Sequence, residues 1–403
     1  MNQKDVRSGT SFWRVTGSDP VTCPPLQEST HCDVAIIGGG ITGALISETL
    51  SRLGMNVVIL DQGEMGLGST AGSTGLLQYE VDTPLVELIT KVGEPAAVSA
   101  YRQGVRAVVE LESLAGELGL QTQFSRRSTL CLASSAAEIP DLRQEFECRR
   151  HFGFDVQWLE ESLLFEGWGL RAPAALRSEG DGEVNPYQLT QALIRRALAQ
   201  GARAFGETRV SDLHEGPMHV VVRTSKGEVI ANSVVIATGY FASSFLSEND
   251  VTLKTTYATV GQQPVPDQIW SDKCLIWETA RPYFYARQTG AGTAMIGGED
   301  TPYADDHADE HLLAEKARRL SRQFEKLFPR TQFSPECVWA GTFAETKDGL
   351  PFIGRPPGRE RVYAALGYGG NGITFSTIAA RLLGDSLMGR AENEEAAPYR
   401  FGR

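Results

Sequence analysis

The sequence predicts an α/β protein in which a Rossmann-type parallel-sheet part is interleaved with an α+β part built on a mixed β-sheet. Three observations carry this. Residues 33–61, DVAIIGGGITGALISETLSRLGMNVVILD, read as strand, glycine turn, helix and strand. Short strand patterns in the middle of the chain depart from that alternation and then return to it at 234–239, VVIATG. Near the end, 362–366 is again a buried strand running into glycines and a helix.

In the first stretch, Val34, Ala35, Ile36 and Ile37 form a short, mostly β-branched run that stops at Gly38, Gly39 and Gly40. That is the pattern of a buried strand ending in a tight turn. Ile41, Ala44, Leu45, Thr49 and Leu53 then recur at helical spacing until Gly54, and 56–60 begins a second strand. Gly38, Gly40 and Gly43 make G-x-G-x-x-G at the turn. In a Rossmann-type unit the first glycine permits the turn, the second admits a pyrophosphate close to the backbone, and the third lets helix and strand pack. The phosphates sit where unpaired amides and the helix dipole favour negative charge. Asp61 ends the second strand, where a carboxylate can accept from ribose hydroxyls and disfavours a 2'-phosphate. The alternative is a glycine-rich turn in an α/β domain without a ligand.

With 403 residues, two or three domains and an ample core are expected. Hydrophobic residues at 41% and charged residues at 22% belong to an ordinary globular protein, and a net charge of -12 argues against a nucleic-acid surface. Six cysteines are scattered without C-x-x-C or zinc-type spacing, so reduced thiols are expected. The first residues lack a signal-peptide h-region, and no apolar run is long enough to span a membrane, so a cytoplasmic location is expected.

Residues 1–30, with Pro20, Pro24 and Pro25, read as irregular. At 63–80, glycines alternate with Ser69, Thr70, Ser73 and Thr74 before Gly75. Such a loop either presents donors to a phosphate or a planar ring, or is simply flexible. A long helix is predicted over 95–120, strands over 121–132 and near Val156, and a helix over 187–200 with Asn185 as its cap and Pro186 in its first turn. Strands follow at 208–210, 219–224 and 229–237.

Residues 254–264 and 282–296 read as strands of the mixed sheet. In the second, Arg281, Tyr283, Tyr285 and Arg287 share a face by period two. That stripe either lines a substrate pocket or faces solvent. Lys254 is expected to be solvated. His307 and His311 stand four apart, but Asp305, Asp306, Asp309 and Glu310 around them read better as the acidic first turn of an exposed helix running to Leu327, so no metal is expected. None of the six histidines has a recognisable catalytic setting.

Gly367, Gly369 and Gly372 repeat G-x-G-x-x-G before a helix from Ile373. No further strand and acid follow, so this reads as a helix N-terminus aimed at a developing anion rather than a second nucleotide site.

Taken together, DVAIIGGGITG, VNPYQLTQAL, VVIATG, DGLPFIG and GYGGNGIT resemble the D-amino acid oxidase-like flavoproteins, a group that includes glycine, sarcosine and γ-glutamylputrescine oxidases. The resemblance implies non-covalent FAD. Gly38, Gly40, Ile41, Thr42 and Gly43 would lie near its pyrophosphate, and Asp61 and Gln62 by the adenosine ribose. Ser69, Thr70, Ser73, Thr74 and Gly75 would neighbour phosphates and flavin. Val210 would meet adenine through its backbone, with Thr238 and Gly239 nearby. Gly369, Gly370, Asn371, Gly372, Ile373 and Thr374 would lie by the flavin pyrimidine edge. Some members attach FAD through a cysteine; here Gly341 stands near that place, and Cys337 is the nearest thiol.

The implied boundaries are 1–90, 183–246 and 336–403 for a discontinuous FAD-binding domain, and 91–182 with 247–335 for the substrate domain. The expected activity is oxidation of a C–N bond of a small amine or amino acid to an imine by hydride transfer to flavin. A neutral amine needs no strong protein base, whereas a 2-hydroxy acid usually does. Arg281, Tyr283 and Tyr285 are the expected substrate contacts. A flavin dehydrogenase of 2-hydroxy acids, a nicotinamide-using reductase and a non-catalytic FAD-binding subunit are the alternatives. The oligomeric state is not legible.

Overall fold

The apolar run expected at the start is the centre of a sheet. In the computed structural model, which describes residues 7–17, 20–239, 250–266, 269–270, 272–303, 309–390 and 394–403, Thr30–Ile37 pairs in parallel with Val57–Leu60 on one side and Glu228–Ile236 on the other. Strands Arg203–Phe205 and Val362–Leu366 extend this eight-stranded sheet in parallel, and Phe352–Gly354 closes one edge antiparallel. Both faces of the central strands are covered, which is why their sequence is continuously apolar. Val34 and Ile36 pack under helices Ile41–Arg52, Pro186–Ala199 and Gly372–Leu387. Ala35 turns to the other face, against the antiparallel pair Val210–Glu215 and Val220–Thr224. Each such fully buried Val or Ile contributes roughly 1.5–3 kcal/mol.

A ten-stranded mixed sheet forms the second layer. Its order is Arg7–Gly9, Pro335–Thr346, Val251–Pro264, Thr293–Pro302, Phe284–Gln288, Leu275–Glu278, Ser125–Leu132, Ala174–Glu183 and Leu76–Leu77, with Val156–Glu160 also on Ala174–Glu183. One face is covered by helix Glu310–Leu327, whose Leu313, Leu320 and Phe324 pack on Tyr257, Phe284, Ala286 and Ile296. The other face looks toward the glycine-rich loop at 66–75 and carries Trp13, Ala258, Val260, Met295 and Trp339.

Several expectations change. The first 30 residues are not all irregular: Arg7–Gly9 pairs with Trp339, Ala340 and Gly341, and Phe12–Thr16 is helical with Trp13 buried. The run at 282–296 is two strands, because Gly292, at φ +78, and the bond from Thr289 N–H to the Thr293 carbonyl turn the chain between them. The strand expected at 208–210 begins at Val210 and runs to Glu215, and the one expected at 121–132 begins at Ser125 after a 3-10 turn at Leu120–Thr122. Helix Pro186–Ala199 is capped as expected, Asn185 Oδ1 accepting from Gln188 N–H at 3.0 Å. Asp309 likewise caps Glu310–Leu327. Asp305, Asp306 and His307 lie outside the described residues. Among the described residues no group of three or more His, Cys, Asp or Glu side chains could hold a metal, and no helix is long and apolar enough to cross a membrane.

Of the segments assigned from sequence to the FAD-binding part, Arg7–Gly9, Leu76–Leu77 and Pro335–Thr346 run in the ten-stranded sheet. The expected boundary at 246–247 falls outside the described residues.

Candidate active site

Two helix N-termini and one loop converge between the two sheets. At the first, a Cβ on Gly43 would come within 1.9 Å of the Gly38 carbonyl, so only glycine lets helix Ile41–Arg52 start this close to its strand. Gly39 N–H donates to Asp61 Oδ2 at 2.6 Å and Ile41 N–H to Thr70 Oγ1 at 2.9 Å. The amides of Gly40, Thr42 and Gly43 have no acceptor among the described residues. With the helix dipole they make a donor set for an anion.

Asp61 also accepts from Gly63 N–H at 2.8 Å. Burial pushes its carboxyl up, against the pull of these two amides. Gln62 beside it is exposed. The Asp61 carbonyl accepts from Thr208 N–H at 2.7 Å, which brings the start of Val210–Glu215 alongside. Thr238 and Gly239 follow Glu228–Ile236, and Thr238 Oγ1 is buried without a partner among the described residues.

The loop carrying Ser69, Thr70, Ser73, Thr74 and Gly75 is held by its carbonyls. Five in succession accept from outside: Ala71 from Ser11 Oγ, Gly72 from Trp339 Nε1 at 2.9 Å, Ser73 from Trp13 Nε1 at 2.6 Å, and Thr74 and Gly75 from Arg287 Nη1 at 3.2 and 3.0 Å. Sequence reasoning missed Ser11, Trp13 and Trp339 entirely. Arg287 does not line a pocket with the tyrosines: it is buried, pairs with Glu183 at 3.4 Å and also donates to the Val184 carbonyl. For Trp339 and Arg287 the sequence signal is a large aromatic or cationic donor at a buried strand position, whereas Ser11 and Trp13, at helix Phe12–Thr16, carry no such signal.

The second helix N-terminus is that of Gly372–Leu387. Gly369 N–H donates to the Ala344 carbonyl at 2.9 Å and Gly370 N–H to Asp82 Oδ2 at 2.7 Å. Asn371 Nδ2 reaches the Glu80 carbonyl at 2.7 Å and Thr374 Oγ1 the Gln78 carbonyl at 3.1 Å. The amides of Ile373 and Thr374 have no acceptor, and Asn371 Oδ1 is buried without a partner, among the described residues. Thr42 Oγ1 and Ser376 Oγ join the two helix starts.

The stripe on Phe284–Gln288 alternates as expected: Phe284 and Ala286 pack in the core with helix Glu310–Leu327, while Tyr285 and Arg287 face the loop. The Tyr285 ring lies against Gly297, where a Cβ would come within 2.4 Å of it. Its hydroxyl is 3.4 Å from Thr256 Oγ1, with Thr74 as a further partner, and burial pushes it up to about 12. Tyr283 OH donates to the Asp82 carbonyl at 3.1 Å. Arg281 is exposed, stacks over the Tyr283 ring at 3.4 Å and donates to the same carbonyl at 3.2 Å. Lys254 is not simply solvated: it pairs with Glu345 at 2.6 Å. Gly341 lies across from Gly72, its would-be Cβ 3.7 Å away. Thus Ile41–Thr70 and Thr42–Ser376 join the two glycine turns and the serine and threonine loop, Tyr285 meets Thr74 of that loop, and Tyr283 with the exposed Arg281 meets Asp82, which holds the 369–370 turn.

Residues 33–386 match the family described as FAD dependent oxidoreductase, DAO. The chain is 27% identical over 387 residues to a glycine oxidase of Geobacillus kaustophilus, covering 92% of this chain and 97% of that protein. It is 24% identical over 411 residues to the gamma-glutamylputrescine oxidoreductase of Escherichia coli K12, covering 96% and 91%. The crystal structure of the Geobacillus kaustophilus glycine oxidase superposes with a TM-score of 0.78 at 26% identity, covering 93% of this chain and 99% of that one. That of an L-proline dehydrogenase from P. horikoshii shares the fold, with a TM-score of 0.76 at 22% identity, covering 93% and 98%.

Proposed function

Because the chain belongs to the FAD-dependent oxidoreductase family, we propose that it binds FAD at this site and oxidises a C–N bond of a small amine or amino acid to an imine, which water then hydrolyses. The observation that carries the reading is that two donor-rich helix N-termini, joined by Thr42 and Ser376, meet a tyrosine-bearing sheet face through Asp82 and Thr74.

The residues fit the cofactor. The partnerless amides of Gly40, Thr42 and Gly43 suit a pyrophosphate, Asp61 suits ribose hydroxyls, and the backbone at Val210 suits the adenine edge. The orphaned Thr238 Oγ1 and Asn371 Oδ1 are polar atoms that a ligand would satisfy. Residues 369–374 offer a helix N-terminus to negative charge at the flavin pyrimidine edge. Binding is non-covalent in this reading: Gly341 has no thiol, and Cys337, raised by burial, packs beside the cluster of Trp13 and Trp339.

FAD supplies the acceptor for the two electrons. The protein's part is to orient the substrate's C–H bond and to exclude water. Tyr285, fixed between Thr256, Thr74 and Gly297, gives a rigid neutral wall on the substrate side. Tyr283 and Arg281 border the opening, where the guanidinium can meet a substrate carboxylate.

The test is the visible spectrum of the purified protein, followed by anaerobic addition of glycine, sarcosine, proline and putrescine. Two flavin bands that one of these amines bleaches are expected. Bands that only 2-hydroxy acids bleach overturn C–N oxidation, and no flavin bands even after FAD addition overturn the cofactor assignment. Flavin that stays with acid-precipitated protein overturns non-covalent binding.

A further inference from the structure

Asp300 has a hydrogen bond from Thr256 but keeps one buried carboxylate oxygen, Oδ1, without a partner among the described residues. Its neighbour Glu299, held at φ +56, turns to the opposite face of the sheet, where Lys316 and Arg319 of helix Glu310–Leu327 pair with it at 3.1 and 3.4 Å. Asp300 is thereby left on the face that carries Thr256 and Tyr285. Its Oδ1 is buried with no hydrogen-bond partner, and no cation pairs with it among the described residues. The one nearby ammonium, Lys254, is engaged by Glu345.

Resting on the C–N oxidation reading above, we propose that Asp300 is the catalytic group that receives the substrate's amino group, accepting its hydrogen bond on binding and its proton as the C–N bond is oxidised. The substrate arrives as R2CH–NH3+. One N–H proton passes to Asp300 Oδ1. With FAD bound to accept it, the C–H hydrogen would leave as hydride, taking the bond's electron pair, and the nitrogen lone pair would close the C=N bond. The imine leaves and Asp300 returns its proton to solvent.

The surroundings suit a proton acceptor. Burial, foremost, raises the Asp300 carboxyl to about 6, with Thr256 and Lys254 opposing and Glu345 and Asp82 reinforcing. The groups facing it are Lys254 and Thr256 from Val251–Pro264, Glu345 from Pro335–Thr346, Tyr283 and Tyr285 from the neighbouring strand segment, and Asp82 at the 369–370 turn. An acceptor near neutrality takes a proton more readily than an ordinary carboxylate while staying ionised at physiological pH.

The experiment uses FAD-saturated native enzyme, Asp300→Asn and Asp300→Glu, with whichever of glycine, sarcosine, proline or putrescine bleaches the native flavin. Bleaching rates are followed across pH. The native rate should fall on the acid side around the Asp300 value of about 6. Asp300→Asn should be about a hundredfold slower near neutral pH yet approach the native rate at about pH 10, where the amine arrives neutral. Asp300→Glu should keep an acid limb. Independently of turnover, a carboxylic-acid infrared band present in native protein and absent from Asp300→Asn should titrate at about 6. Parallel profiles at equal rates, or a band titrating at the ordinary value of about 4, overturn the role of Asp300 and leave C–N oxidation standing. Bleaching of native enzyme by none of the amines overturns both.

Discussion

Thr42 Oγ1 and Ser376 Oγ lie 2.8 Å apart, both side chains buried, and so lock the first turn of Ile41–Arg52 to the first turn of Gly372–Leu387. Ser376 Oγ also donates to the Gly372 carbonyl at 2.6 Å. This hydroxyl pair joins the first turns of two helices that also pack further along, where Gly384 lies against Thr49 and Leu53. Ser376→Ala leaves the Thr42 hydroxyl without this partner, at a cost of about 1–3 kcal/mol. Calorimetric unfolding should show that loss, and FAD titration a weaker affinity, since both donor sets are displaced together. An unchanged FAD affinity would separate this contact from the cofactor site.

Arg287 is the tie that can be cut most selectively. One guanidinium reaches the Thr74, Gly75 and Val184 carbonyls and pairs with Glu183. Arg287→Met leaves the buried Glu183 charge with only Arg127, at 2.7 Å, and should cost about 3–5 kcal/mol in urea unfolding. Arg287→Lys should not restore it, because a single ammonium cannot reproduce the planar fork of donors.

Arg149 is buried and bonds Glu80 at 2.9 Å and Glu145 at 2.6 Å, while Asp181 accepts from Tyr79 N–H at 2.8 Å. Burial first, and the charge of Glu80 next, hold the Asp181 carboxyl well above its usual range. The folded protein therefore keeps a proton that the unfolded chain releases at about pH 3.9. This contribution is full below that pH and is lost as pH rises toward the folded value. Asp181→Asn should remove the slope, so that the variant gains on the native protein with rising pH. Chemical denaturation at several pH values measures it, and a constant difference would refute it.

Arg281→Ala and Tyr283→Phe should each lower kcat/KM about tenfold with the flavin spectrum intact, through lost substrate contact and through loosening of the Asp82 carbonyl that both side chains hold. If steady-state kinetics of both variants match the native enzyme, these two residues do not contact the substrate.

The first βαβ unit was legible because its physics is local. Gly38 to Gly43 set a turn and a helix start within a few residues, and Asp61 is placed by the strand that follows. Asn185 was readable as a cap, whereas Asp309, expected within the acidic first turn, is the cap itself, each bonding an amide three residues on. The strands Ala174–Glu183 and Leu275–Glu278 were not. Arg177, Glu179 and Asp181 interrupt the apolar pattern of the first, and only its partners across the sheet keep it extended.

By itself the sequence determined the fold class and the two glycine-rich helix starts, which follow from short-range backbone requirements, while FAD was implied by the resemblance that the motifs carry jointly. The tertiary structure decided what no spacing encodes. It brought Trp13, Trp339 and Arg287 to one loop across separations of 60, 267 and 212–213 residues. It also turned Glu299 and Asp300 to opposite faces of one strand, the first paired with Lys316 and the second beside Thr256 with its buried Oδ1 unpartnered among the described residues. A side chain's partners across a sheet depend on register and layer packing, and those exist only once the chain has folded.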